Sequence, residues 1–279
     1  MFDKVMLAMD MSERTDDLLG AFYSLCPDTE TEVYLLHVAT REEDQDINSS
    51  YYKKTFSQLQ GYEKDLHKAG YDNVSIIWEY NPVPLNGILS ASVGRDVDLL
   101  CLVSHGKGLF ESAFRGSMTF DVARSSLVPV LIVKEEHARE NYLERILVPT
   151  DFSRKSLVGL SVLRNMHDHV GEILFVHVLE RFRSEDELRV KRETAQNMLQ
   201  EMVEEMKTFG IPARYIIDQG IASKEVCRLA ETEKCTLICT GKTGAGLVKG
   251  LLMGSTAQNI TLNTPCSLLI MPGRGEDEE

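Results

Sequence analysis

The chain is poor in the features that would send it to a membrane, out of the cell or onto a polyanion. Its longest apolar stretches are about as long as a strand, far short of the roughly 20 residues that a bilayer-spanning helix needs. No membrane association is therefore expected. The opening Met1-Phe2-Asp3-Lys4-Val5 mixes acid with base and lacks the form of a secretory leader, so a cytoplasmic setting is expected. Positive charge is in deficit. Thirty Lys and Arg face 43 Asp and Glu, a net charge of −13, which argues against a broad electrostatic grip on nucleic acid or anionic lipid. Part of that charge lies in Glu276-Asp277-Glu278-Glu279, which reads as a solvated tail. The six cysteines form no C-x-x-C pair, and Cys101 and Cys239 sit inside apolar runs. Buried, reduced thiols are expected rather than a disulfide framework or a zinc site.

What is present is a chain that repeats itself. At 279 residues, 43% apolar and 26% charged, it suits two globular domains of ordinary size. Lys4-Val5-Met6-Leu7-Ala8-Met9-Asp10-Met11-Ser12 matches Arg145-Ile146-Leu147-Val148-Pro149-Thr150-Asp151-Phe152-Ser153. Each is a short apolar run ending in Asp, with Ser two residues later. Val33–Val38 matches Ile173–Val178, Asp98–Leu102 matches Thr236–Thr240, and Val130–Val133 matches Leu268–Met271. A glycine-bearing loop closes on Gly116-Ser117 in one half and on Gly254-Ser255 in the other. These landmarks recur in one order at nearly one spacing, as a duplication requires. The expected domains are 1–138 and 139–279, with the boundary in the charged segment Lys134 to Arg145.

Within each half apolar runs alternate with amphipathic stretches. Ser184-Glu185-Asp186-Glu187 has the form of a capping box, and Leu188, Met198, Met202 and Met206 recur behind it. That helix should stop at Gly210, and its counterpart, from about Tyr52, at Gly70. The alternation predicts an α/β fold: two tandem doubly wound domains, each a five-stranded parallel sheet with helices on both faces.

Ligands of such folds sit beyond the carboxyl ends of the strands, near the point where the strand order reverses. This directs attention to Asp10 and Asp151, to Val38 and Val178, and to the loops after each fourth strand. The second of these loops, Gly241 to Ser255, has the skeleton Gly-x2-Gly-x9-Gly-Ser and runs into a helix pattern from Thr256 to Leu262. Glycine lets main-chain N–H groups approach an anion and tolerates positive φ. The start of the following helix adds orphan donors and a partial positive charge.

Taken with the opening Pro149-Thr150-Asp151-Phe152-Ser153, this skeleton resembles the signature of the universal stress protein family, and the resemblance extends over nearly the whole chain as two family domains. It implies a nucleotide site in the second half for ATP, with Mg2+ as a companion ion. Asp151 would then lie by the ribose and adenine end, Val178 would offer backbone to the adenine, and Gly241, Gly244, Gly254 and Ser255 would wrap the ribose and phosphates, with Pro149, Thr150 and Thr256 alongside. It also implies pairing of the two domains through their last strands as an internal pseudo-dimer, with a homodimer of whole chains left open.

The first half departs from the pattern. Asp10, Val38, Gly106, Gly116 and Ser117 are its matching positions, but Val103 falls where Gly241 stands and Ala8-Met9-Asp10-Met11 replaces Pro149-Thr150-Asp151-Phe152. A β-branched residue resists positive φ, so this half is expected to bind weakly or not at all.

Several readings compete. Asp10 and Asp151 suit helix N-caps as well as ligand contacts. His37 and His177 read as buried, satisfied imidazoles rather than catalytic bases, and Lys242 and Lys249 as solvated loop lysines. Gly241-Lys242-Thr243 resembles the end of a phosphate-binding P-loop, but Thr236 stands where that motif needs glycine. A dinucleotide oxidoreductase would carry its glycines after the first strand, and none is there; the Ser/Gly-rich loop of an ATP pyrophosphatase is missing from the same place. A phosphoacceptor receiver domain would need a fuller acidic set. With no catalytic constellation and no metal cluster evident, the expected function is an ATP-binding regulatory module of the stress response, not an enzyme, slow hydrolysis aside. The alternatives are a nucleotide-independent scaffold and a binder of another adenine nucleotide.

Overall fold

The computed structural model describes residues 2–104, 117–134, 141–244 and 252–273. The chain divides into two compact units, Met1–Arg139 and Glu140–Glu279.

In the first unit β1 (Lys4–Ala8), α1 (Thr15–Leu25), β2 (Glu32–Ala39), α2 (Ser50–Lys68), β3 (Val74–Tyr80), α3 (Pro84–Val93), β4 (Leu99–Val103), α4 (Ser117–Ser125) and β5 (Val130–Val133) follow one another. The strand order is β3-β2-β1-β4-β5, and every pairing is parallel. The second unit repeats this with β6 (Arg145–Pro149), α5 (Val158–Asn165), β7 (Glu172–Leu179), α6 (Glu185–Thr208), β8 (Ala213–Gln219), α7 (Ala222–Thr232), β9 (Leu237–Gly241), α8 (Ser255–Asn263) and β10 (Ser267–Met271). Its order is β8-β7-β6-β9-β10, again parallel. This is the expected α/β class. Crossovers running first one way from the central strand and then the other place helices on both faces when they keep the usual hand.

The burial of each strand follows its place. β4, β9 and β10 are buried along their whole length, whereas the edge strands β3 and β8 are half-buried. Five of the six cysteines are buried and all are free. Burial pushes the Cys235 and Cys239 thiols up to about 12, which makes them poor nucleophiles.

Two expectations about helices need adjustment. The α6 capping box is real in part: Ser184 Oγ accepts from Glu187 N, while the Glu187 carboxylate accepts from Arg183 N. Its buried face, however, runs through Ala195, Leu199, Met202, Val203 and Met206. Met198 is exposed, because it falls beyond the Met202 edge of the stripe these residues form. The helix ends where expected, with Gly210 at φ +76, as α2 does with Gly70 at φ +101.

Candidate functional site

In each unit the strand order reverses beside the central strand, between β1 and β4 and between β6 and β9. In the second unit a cavity of about 740 Å³ opens at this point, beyond the carboxyl ends of the strands. Pro149, Thr150, Asp151, Val178, Gly241, Gly244, Gly254, Ser255 and Thr256, the nine positions singled out in this half, all line it. They come from four segments: the ends of β6, β7 and β9 and the start of α8.

The turn after β6 is held tightly. Phe152 lies in the left-handed region at φ +64, a costly conformation for a bulky residue. Thr150 Oγ1 accepts from Phe152 N at 2.9 Å and shares a hydrogen bond with Ser156 Oγ at 3.1 Å. Asp151 Oδ1 accepts from Ser153 N at 3.0 Å and from Ser153 Oγ at 2.5 Å. The Phe152 ring packs on His177, 4.5 Å between centroids, and His177 Nδ1 donates to the Thr150 carbonyl at 2.8 Å. The exposed Asp151 carboxylate is thus aimed by its neighbours. It does not cap a helix: α5 starts only at Val158, and Leu157 at its N-cap makes no side-chain cap. His177 is half-buried and hydrogen-bonded, as a structural imidazole should be.

Gly241, Gly244 and Gly254 differ in what their missing side chains allow. A Cβ at Gly241 would collide with the Lys155 carbonyl oxygen. Gly241 is also the last residue of β9, in register with Met271, and is not among the residues at positive φ. The expectation that it serves a ligand by adopting positive φ is therefore corrected, because the close approach there is by the protein's own backbone. Val103, last in β4 and in register with Val133, carries no penalty of the kind the sequence suggested. At Gly244 a Cβ would stand 2.5 Å from Asp151 Oδ2. At Gly254 it would meet nothing nearer than 3.8 Å, and φ −72 and ψ 151 suit any residue. Nothing among the described residues requires a glycine there.

Lys242 differs from its reading as a solvated loop lysine: only 7% of it is exposed, and it lines the cavity. Burial draws its ammonium down to about 8. The helix α6, which sequence reasoning did not place at the site, contributes Val190, Lys191, Thr194 and Ala195. Lys191 Nζ donates to the Arg181 carbonyl at 2.8 Å and pairs with Glu187 at 3.0 Å.

The ion implied by resemblance has modest requirements. Among the described residues no group of three or more His, Cys, Asp or Glu could hold a metal ion. Asp151 and Glu180 stand on the cavity wall, and magnesium held by a phosphate chain needs only one or two carboxylates.

The first unit repeats the turn, with different side chains packed beside it. Met11 is at φ +61, and Asp10 Oδ1 accepts from Ser12 N at 3.0 Å. Asp10 caps no helix, since α1 begins at Thr15 behind Arg14 without a side-chain cap. His37 Nδ1 donates to the Met9 carbonyl at 3.0 Å, and its Nε2 accepts from the Tyr51 hydroxyl at 2.9 Å. Tyr51 and Trp78 crowd the same imidazole, with Tyr52 packed at a tilt against Trp78. The matched buried pairs Thr55 and Ala195, Leu59 and Leu199, and Leu66 and Met206 put Tyr51 opposite Lys191. An aromatic ring therefore covers the histidine whose counterpart faces the cavity. Val38 is pressed by α3, where a Cβ at Gly87 would come within 2.8 Å of its Cγ1. Ser117 opens α4 as Ser255 opens α8. Gly106 and Gly116 lie outside the described residues, as does Lys249 in the second half.

No helix among the described residues is long and apolar enough to cross a membrane. In comparison with known proteins, the chain is 25% identical to one universal stress protein of Methanocaldococcus jannaschii, over 46% of this chain and 94% of that protein. A second from the same organism is also 25% identical, over 47% and 84%. A crystal structure of a universal stress protein from Archaeoglobus fulgidus superposes with a TM-score of 0.72 at 24% identity, covering 99% of this chain and 97% of that one; at that identity it bears on the fold alone. The sequence profile of the universal stress protein family matches residues 1–134 and again 143–272. With the profile matched twice over a duplicated parallel α/β unit, the chain belongs to the universal stress protein family as a tandem, two-domain member.

Proposed function

We propose that the second unit binds ATP and that the chain acts as a nucleotide-responsive regulatory module of the stress response, not as an enzyme. The observation that carries this is Gly254. It opens α8 on the cavity wall, meets nothing among the described residues that would keep a side chain out, and leaves the start of the helix, where an anion would be best held, without a side chain of its own. The cavity volume lies within the range of about 300–1,000 Å³ typical of small-molecule sites. The wall carries apolar Val178, Val190 and Val226 as well as polar Thr150, Ser255 and Thr256, a mixture that suits a ligand with a flat apolar base and a polar chain. The regulatory reading rests on binding and asks for no turnover: His177 Nδ1 and Asp151 Oδ1 hold the turn after β6 in shape.

The test is calorimetric titration of the full chain with non-hydrolysable ATP. One site per chain is expected, lost in Gly254→Val. Two equal tight sites would refute the closed first unit. Absence of binding, with no adenine nucleotide released on denaturation, would leave the scaffold reading. Steady ATP turnover that disappears in Gly254→Val would overturn the non-enzymatic one.

A further inference from the structure

Resting on the nucleotide reading of the larger cavity, we propose that the second unit takes an adenosine diphosphate sugar, its sugar seated in a polar annex beside the start of α8. The annex is a separate cavity of about 330 Å³, at the lower end of the range for small-molecule sites. It shares Glu180, Ser255 and Thr256 with the larger cavity, so the two meet at the first turn of α8. With a phosphate chain held at that turn, a group attached to the far end of the chain faces the annex.

The polar side chains around the annex are largely unspent. Ser223, the second residue of α7, is only 8% exposed and lines the annex, yet its hydroxyl makes no hydrogen bond among the described residues. A buried hydroxyl normally has a partner, because leaving it without one costs free energy. The hydroxyls of Ser255 and Thr256 are also without one among the described residues. Asn259 Nδ2 donates to the Ser255 carbonyl at 2.9 Å, which leaves the amide oxygen to accept. Arg181 brings a guanidinium that enters no ion pair or hydrogen bond among the described residues. Its backbone is held at φ +51, with the carbonyl accepting from Lys191 Nζ at 2.8 Å.

The mixture of groups narrows what the annex can hold. Glu180 Oε1 accepts from Ala222 N at 2.6 Å, which answers the start of α7 and places a carboxylate on the wall. A further phosphate would meet that negative charge. A calcium ion would need about six to eight oxygen ligands, several of them charged, and one carboxylate falls short. A second flat base would need apolar walls, and Ile221 is the one large apolar side chain among the described lining residues. A sugar suits the set, because each of its hydroxyls can both donate and accept. It can therefore pair at once with a carboxylate, a guanidinium, an amide oxygen and neighbouring hydroxyls.

The experiment is calorimetric titration of the full chain with ATP, ADP and ADP-glucose. Wild type, Ser223→Val and Arg181→Met are compared after circular dichroism has checked their folds. Wild type is expected to bind ADP-glucose about tenfold or more tightly than ADP, the gain of one or two added hydrogen bonds. Ser223→Val removes the hydroxyl and fills its place, and should abolish that preference while ADP and ATP affinities stay unchanged. Arg181→Met should cost ADP-glucose about fivefold, the loss of one charge-assisted hydrogen bond at an exposed site, again without effect on ADP. Equal affinities for ADP and ADP-glucose in wild type, or a preference that survives in both variants, overturn the sugar site and leave the nucleotide reading standing. Failure of wild type to bind any of the three ligands overturns both.

Discussion

A methyl group added at Gly241 would run into the Lys155 carbonyl, whereas one added at Gly254 would sit in ordinary contact range. The two glycines of one motif should therefore fail in opposite ways. Gly241→Ala forces backbone apart in a buried strand end and should cost about 1–3 kcal/mol of stability, the usual range for overpacking. Gly254→Ala should change stability by no more than about 1 kcal/mol, because its dihedrals suit alanine and only a modest N-cap preference is lost. It should nevertheless weaken nucleotide binding by about tenfold, by crowding the helix N-terminus. Denaturant unfolding alongside titration separates the two, and a Gly254→Ala chain that unfolds early but binds normally would contradict the argument. The spacing of these glycines was legible in the sequence; the reason for each was not. A glycine forced by a ligand and one forced by a carbonyl 86 positions away look alike until the fold places Lys155 against Gly241. The same holds for Lys242, whose burial depends on α8 returning across it, and for Tyr51, whose significance appears only when α2 and α6 are aligned on their buried faces.

At the amino-terminal ends of the second unit's strands, far along the sheet from the cavity, a charged strap ties three strands and the end of α7 together. Glu172 of β7 accepts from Arg145 of β6 at 2.7 Å and from Arg214 of β8 at 2.8 Å. Arg214 also reaches Glu233 after α7 at 2.8 Å, and Arg145 reaches the Glu233 carbonyl at 2.6 Å. Burial alone would raise the Glu172 carboxyl, but hydrogen bonds and charge from Arg214 and Arg145 outweigh it and hold it below the usual range. A carboxylate depressed in the folded state contributes stability above its unfolded value of about 4.5 and loses it as pH falls through the lower, folded value. Glu172→Gln should therefore cost about 1–2 kcal/mol at pH 7, the partly exposed guanidiniums limiting the loss. The difference from wild type should shrink below about pH 4. Chemical denaturation at pH 7 and pH 3.5 measures both, and an equal deficit at the two values would show that the cost is packing rather than charge. This strap was invisible in the sequence because Arg145, Glu172, Arg214 and Glu233 share no spacing. The elements themselves were legible, since apolar runs and stop signals are local, although the α6 face was read one residue out of register at Met198.

For the molecule as a whole, the duplication gives two units of one topology with different occupants above the same turn. Both have an Asp whose carboxylate accepts from the serine N–H two residues later, followed by a residue at positive φ, so the turn belongs to the fold and not to a ligand. What distinguishes the units is what stands beyond it: in the first, the Tyr51 hydroxyl on His37 and α3 pressed on Val38; in the second, open space walled by Lys242 and the start of α8. Ligand binding should accordingly protect one unit only. At a free ATP concentration of 100 times Kd, binding stabilises the native state by about 2.7 kcal/mol, and if the units open independently this gain falls on the second alone. Hydrogen–deuterium exchange of the full chain should show slowed exchange in segments 149–153, 176–180 and 252–258, with 9–12, 36–39 and 117–120 unchanged. Equal protection of both sets would mean that the first unit admits nucleotide past Tyr51. Protection confined to the second set would reverse the assignment of the open site. Only slowing in the second unit's segments alone agrees with a chain in which one copy of the duplicated fold keeps the ligand cavity and the other packs different side chains beside the same turn.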